Sequence, residues 1–155
     1  MSKYSIITIP NKILRQKAEK IPADEIKNGD FLNLMQEMTK LMLTHDGIGL
    51  AAPQVGQSIR LIVINTAGGA LPLFNPRIIK KSWRKEIEEE GCLSVPKTWG
   101  DVKRHYKITV TALDTKGEKI TFEAKGLFAR VLQHEIDHLD GILFIDKAIK
   151  IRKID

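Results

Sequence analysis

The chain has one cysteine, Cys92, in 155 residues. No intrachain disulfide can form, so the fold must rest on a packed core. A lone cysteine is ordinarily a small buried hydrophobe. Aromatic residues make up only 6% of the chain, too few for the interleaved rings of a single-strand nucleic-acid surface. No apolar run approaches the length needed to cross a bilayer. Met1 to Ile6 lack the charged-then-apolar build of a signal peptide, and folded-looking sequence starts too early for a transit peptide. A cytoplasmic protein with no membrane partner is therefore expected. The glycine-rich run Gly47–Gly56 has neither the Lys-Ser/Thr ending of a phosphate loop nor the spacing of a dinucleotide-binding turn.

What is present is ordinary in bulk. The apolar fraction is 43% and the charged fraction 28%, as in globular proteins generally. Residues 1–155 are read as one domain, long enough for a real core. Lysine and arginine number 25 against 19 acids, a net charge of +6. That excess suits solubility, and it also permits approach to an anionic surface. The tail from Lys147 through Lys150, Arg152 and Lys153 is locally basic. Such runs are usually solvated.

The informative stretch is Gln133-His134-Glu135-Ile136-Asp137-His138-Leu139. The two histidines are four residues apart, a little over one helical turn. On a helix they share a face and reach one metal ion, with Glu135 between them as a proton acceptor. The flanking sequence supports a helix: Leu127 and Val131 continue the histidine face, and Leu132, Ile136 and Leu139 form another apolar row. The helix is apolar on most of its circumference and should be buried, with Gly141 as its stop. Beside this motif Cys92 becomes a candidate third ligand, available as thiolate in a reducing compartment.

The rest of the chain segregates helices from strands. Phe31, Leu34, Met35, Met38, Leu41 and Met42 fall at helical spacing, so 31–44 reads as an amphipathic N-terminal helix after a cap at Asn28–Asp30. The methionines are assigned to core packing, and His45 to the helix end. Arg60–Asn65 reads as a buried strand. Leu71–Pro76 is extended, confined by its prolines to an edge or an irregular strand. Residues 77–81 continue it, and 83–89 form an exposed charged strand. Residues 106–113 and 119–123 pair through a turn at Asp114–Gly117. The fold class is α+β: mainly antiparallel sheets packed around a central metal-binding helix, with the amphipathic helix toward the N-terminus.

Three motifs then stand together: Gly-Ile-Gly-Leu-Ala-Ala-Pro-Gln at 47–54, Glu-Gly-Cys-Leu-Ser at 90–94 and Gln-His-Glu-Ile-Asp-His-Leu at 133–139. In order and spacing they resemble the peptide deformylase family over nearly the whole chain. That resemblance implies removal of formate from N-formylmethionine on newly made polypeptides. It implies Cys92, His134 and His138 as ligands of one divalent ion, Fe2+ in the family, with Zn2+ or Ni2+ able to replace it. It implies Glu135 as general base and then acid, with the Leu93 backbone N–H and the Gln54 amide as oxyanion donors. The peptide should lie extended along Ile48 and Gly49. Ile48, Leu127 and Val131 should line the methionine pocket, and Glu90 and Arg104 should form an ion pair behind it.

Three positions depart from the commonest pattern of that family: Trp99, Lys103 and Arg130. Arg130 stands where relatives often carry an aliphatic residue near the pocket mouth, which bears on preference beyond methionine. The C-terminal segment can contact the ribosome in relatives, so the basic tail is a possible ribosome contact; no specific DNA partner is expected. Two rival readings remain at this level. One is a broader metallopeptidase, although no third His or Glu follows His138 as those sites require. The other is a small basic RNA- or ribosome-binding module without catalysis.

Overall fold

The computed structural model describes residues 3–154. After a 3-10 turn at Lys12–Arg15 come the short helix α1 (Ala23–Lys27) and the helix α2 (Leu32–Thr44). Strands β1 (Gly49–Ala51), β2 (Leu61–Thr66) and β3 (Gly69–Lys81) follow. Next are β4 (Lys85–Cys92), β5 (Val95–His105), β6 (Lys107–Leu113) and β7 (Lys119–Lys125). The chain closes with helices α3 (Gly126–Leu139) and α4 (Phe144–Lys147) and strand β8 (Lys150–Lys153). All sheet pairings are antiparallel, in a five-stranded sheet ordered β1-β2-β3-β6-β7 and a three-stranded sheet ordered β4-β5-β8.

The unbroken apolar run Leu61-Ile62-Val63-Ile64 is explained by burial on both faces. Side chains alternate along a strand. Leu61 and Val63 pack with Met38, Met42 and Leu34 of α2, while Ile62 and Ile64 pack with Val131, Leu132 and Ile136 of α3. The large sheet therefore lies between the two long helices. Ile108, Val110 and Ala112 of β6 add to the α3 side. Each large aliphatic side chain buried this way contributes about 1.5–3 kcal/mol.

Pro72 and Pro76 lie within β3, in the middle of the sheet and not at its edge. The strand tolerates them by changing partners. Residues 69–74 pair with β2, whereas pairing with β6 begins at Phe74 and slips before Arg77. Pro72 thus sits where the ladder has one side only, and Pro76 sits in the irregularity beside Asn75, whose φ is +50. Prolines are accommodated at such places.

Two segments have more order than the sequence suggests. Residues 95–105 form the eleven-residue strand β5. The basic tail is strand β8, paired with β5 from Thr98↔Lys153 to Asp101↔Lys150. Arg152 is tied to Asp101 and Glu89, both at 2.6 Å. No helix among the described residues is long and apolar enough to span a membrane.

Candidate metal centre and substrate cleft

Helix α3 is fixed at both ends before it presents anything. Gly126, at φ +64, turns the chain from β7 into the helix. Gly141, at φ +74, ends it against the backbone of Arg15; a Cβ there would meet the Arg15 carbonyl oxygen at 2.5 Å. The Leu139 carbonyl accepts from the Ala18 N–H and from Arg60 Nη1, at 2.8 and 2.9 Å. Gln133 pins the middle: its amide accepts from the His105 N–H at 3.1 Å and donates to the His105 carbonyl at 2.9 Å.

Strand β4 delivers the thiol. Glu90 and Cys92 are two residues apart, so they leave the strand on the same side, and both meet α3. Cys92 Sγ lies 3.3 Å from His138 Nε2, and Glu90 Oε1 accepts from His134 Nδ1 at 2.8 Å. Between them Gly91 turns toward Trp99, whose ring would come within 2.4 Å of any Cβ at position 91. One ligand atom from each of Cys92, His134 and His138 lies within 4.8 Å of the others. A tetrahedral ion bonded at about 2.0–2.3 Å holds its donors roughly 3.3–3.8 Å apart, so this set closes on an ion with small side-chain movements. Glu135 Oε1 and His138 Nδ1 are also buried without a hydrogen-bond partner. Buried polar atoms are seldom left so. The donor chemistry and the unpartnered Glu135 oxygen fit a divalent ion and its water.

Glu90 is the hub beneath this cluster. Arg104 binds it through Nε and Nη2, both at 2.9 Å, and Arg130 Nη1 adds a third guanidinium contact at 2.6 Å. Arg104 also holds Asp137 at 2.6 Å. Burial pushes the Glu90 carboxyl up, but the hydrogen bonds from Arg104 and His134 outweigh it and hold it well below the usual carboxylate range. A carboxylate on the far nitrogen of a ligating histidine fixes ring orientation and raises its basicity. Burial pushes the Glu135 carboxyl up to about 7, near the range where a general base works at neutral pH.

The first motif covers Glu135 from above. A Cβ on Gly49 would sit 2.7 Å from Glu135 Oε2 and 2.9 Å from Val131 Cγ1, so β1 approaches α3 as closely as glycine allows. Gln54 is buried and held by its own loop. Its Oε1 accepts from the Ala51 N–H at 2.9 Å, and its Nε2 donates to Ser94 Oγ at 3.1 Å and faces Cys92 Sγ at 3.5 Å. The N-terminal segment braces both partners: Ile7 N–H donates to the Gln54 carbonyl and Ile9 N–H to that of Ser94.

A cleft of about 510 Å3 opens over these groups and brings together Ile48, Gly49, Gln54, Glu90, Leu93, Leu127 and Val131 with Cys92, His134 and Glu135. Ile48 is 51% exposed and Leu127 65%, apolar side chains left bare at the mouth. Arg104 stands behind the cleft, on Glu90. Arg130 lines the same cleft, where it is buried against Glu90. Its place four residues before His134 on one helix face was the signal available in sequence. Ser94, which orients Gln54, and Asp137, which shares Arg104, also escaped the sequence reading.

One thiol and two imidazoles that could hold a metal ion, with a buried glutamate beside them, form the arrangement expected of a metal-dependent hydrolase. The sequence profile of the family described as polypeptide deformylase matches residues 3–153. A peptide deformylase of Syntrophomonas wolfei is 49% identical over 152 residues, spanning 98% of this chain and 97% of its own length. The crystal structure of the Thermotoga maritima peptide deformylase superposes with a TM-score of 0.90 at 36% identity, covering 97% of this chain and 100% of that one. The Acinetobacter baumannii peptide deformylase bound to Met-Ala-Ser gives a TM-score of 0.89 at 34% identity over 95% of this chain and 100% of that one. The chain belongs to the peptide deformylase family. That membership displaces both the broader metallopeptidase and the non-catalytic RNA module.

Proposed function

We propose that Cys92, His134 and His138 hold the ion of a deformylase and that Glu135, Gln54 and Leu93 perform its chemistry. The enzyme hydrolyses the formyl group from the N-terminal formylmethionine of newly made polypeptides and releases formate. The observation that carries the residue assignment is the meeting of the Cys92 thiol with the α3 imidazoles beside buried Glu135. A divalent ion held there supplies the Lewis acidity that makes water a nucleophile near neutral pH. We assign Fe2+ as the native ion, with Zn2+ or Ni2+ able to occupy the same donors; thiolate and imidazole suit all three.

Glu135 takes a proton as the water oxygen attacks the formyl carbon, then gives it to the nitrogen as the C–N bond breaks. The products are formate and a free N-terminal amine. Gln54 Nε2, aimed by Ser94 and the Ala51 N–H, donates to the developing oxyanion together with the Leu93 N–H. One such donor is typically worth about 2.7–4 kcal/mol of barrier. Strand β1 pairs with β2 on one side only, which favours addition of an extended peptide along Ile48 and Gly49. Ile48, Leu127 and Val131 receive the methionine side chain, above the Glu90–Arg104 pair.

Residues 1–155 act as one catalytic domain, and the newly made substrate assigns the enzyme to the cytoplasm. Ribosome contact is assigned to the exposed Lys150 and Lys153 of β8. Because β8 is part of a sheet, its test is charge reversal: Lys150→Glu with Lys153→Glu should reduce co-sedimentation with ribosomes, and unchanged binding would remove the assignment. The function itself is tested by formate release from formyl-Met-Ala-Ser. Wild type should turn over and Glu135→Gln should not; equal rates would remove Glu135 from the reaction.

A further inference from the structure

Arg130 stands between two hollows. On one side is the substrate cleft, and on the other a smaller hollow of about 210 Å3 bounded by Glu86, Arg104, His105 and Tyr106. Among the described residues only Glu89, Leu127 and Arg130 line both. Glu89 and Leu127 are surface side chains, more than half exposed, and can swing away. Arg130 cannot. Its guanidinium donates to Glu90 Oε2 at 2.6 Å, to the Val102 carbonyl at 2.9 Å and to the Glu86 carbonyl at 2.8 Å. Its side chain is 9% exposed. Three acceptors on two strands, β4 and β5, thus hold one long side chain of α3 across the gap.

We propose that Arg130 is the stop of the first-residue pocket, limiting side-chain length to that of methionine. The inference rests on the deformylase reading of the cleft. An unbranched side chain entering past Leu127 and Val131 runs toward this partition. Removing its bulk joins the two hollows into one channel, so longer unbranched side chains gain room. Removing only its charge does not. An ill-fitting methylene in an apolar pocket discriminates by about 10–200-fold, which sets the expected size of the cutoff.

The test is a side-chain series in one peptide frame on the metal-loaded enzyme: formyl-Met-Ala-Ser, then norleucine, 2-aminooctanoate and 2-aminodecanoate at the first position. For wild type, kcat/KM should hold through norleucine and fall about ten-fold or more at 2-aminooctanoate. Arg130→Ala should raise the 2-aminooctanoate-to-methionine ratio about ten-fold, mainly through KM. Arg130→Met, which keeps length and loses the guanidinium, should keep the wild-type ratio. Wild type that accepts all four lengths alike overturns the proposal. So does Arg130→Met broadening as much as Arg130→Ala, or folded Arg130→Ala with an unchanged ratio. If Arg130→Ala does not fold, Arg130→Val decides: its side chain is apolar and shorter than that of methionine, so an unchanged ratio overturns the proposal while a raised one supports it. Wild type that releases no formate from formyl-Met-Ala-Ser defeats the deformylase reading itself, a result distinct from length-blind turnover.

Discussion

Gly49→Ala isolates one contact. The residue does not use a left-handed backbone, so alanine strains no dihedral, and its whole effect is the added methyl. That carbon would lie 2.7 Å from Glu135 Oε2, 2.9 Å from Glu135 Cγ and 2.9 Å from Val131 Cγ1. Ordinary contact begins near 3.4 Å, so about 0.5–0.7 Å must be found. The carboxylate tip could rotate, but Cγ of Glu135 and Cγ1 of Val131 sit close to a helix locked at both ends. Strand and helix must part, or Glu135 must leave its rotamer. Overpacking of this kind costs about 1–3 kcal/mol of stability. A catalytic group displaced by a good fraction of an ångström loses about 10–100-fold in rate, or about 1.4–2.7 kcal/mol. Cys92, His134 and His138 are not touched. Gly49→Ala should therefore keep its ion by elemental analysis, lower kcat/KM for formyl-Met-Ala-Ser by about 10–100-fold, and melt several degrees earlier. Combined with Glu135→Gln it should cost little further activity, because both act on one group. Full activity in the single variant, or full additivity in the double, would refute the reasoning.

Other perturbations act on neighbouring parts. Cys92→Ser should weaken or exchange the ion, read by chelator competition; unaltered affinity would mean that sulfur is not a ligand. Glu90→Gln leaves two guanidinium groups short of a buried partner, which should cost about 3–5 kcal/mol in urea unfolding at pH 7. The pH dependence has a definite sign. Glu90 has a folded pKa below its unfolded one, so its contribution is full above the ordinary carboxylate range, begins to be lost as pH enters that range and is gone only when pH has fallen through the lower folded value. The stability gap between wild type and Glu90→Gln should narrow from pH 7 to pH 3; a constant gap would show that the Glu90 charge is not the source. Gln54→Ala should lower kcat by about 100-fold with metal content kept, and a change confined to KM would place Gln54 in binding instead.

Periodicity found what depends on local pattern. The α2 stripe, the α3 helix with its glycine stop and the β6–β7 hairpin are legible because one face of each is buried. The HExxH spacing and the single cysteine together marked the residues that the structure brings into one cluster. What stayed hidden depends on partners distant in the chain. Strand β5 alternates in burial, but its inward positions include Thr98, Gly100 and Arg104 beside Val102, so hydrophobicity does not show the pattern, and its order comes from β4 and β8. The tail reads as solvated, yet Arg152 finds Asp101 and Glu89 across the small sheet. Pro72 and Pro76 argued for an edge, and β3 meets that argument by exchanging partners midway. Arg130, expected near the pocket mouth, is buried because Glu90 gathers it with Arg104 and His134.

The central claim is that sulfur from β4 and two imidazoles from α3 share one ion. X-ray absorption at the metal edge of anaerobically purified protein tests it most directly. The structure predicts one sulfur scatterer at about 2.3 Å and two imidazole nitrogens at about 2.0–2.1 Å, with the sulfur signal lost in Cys92→Ala. A shell of nitrogen and oxygen alone, or a sulfur signal that survives that substitution, would contradict it.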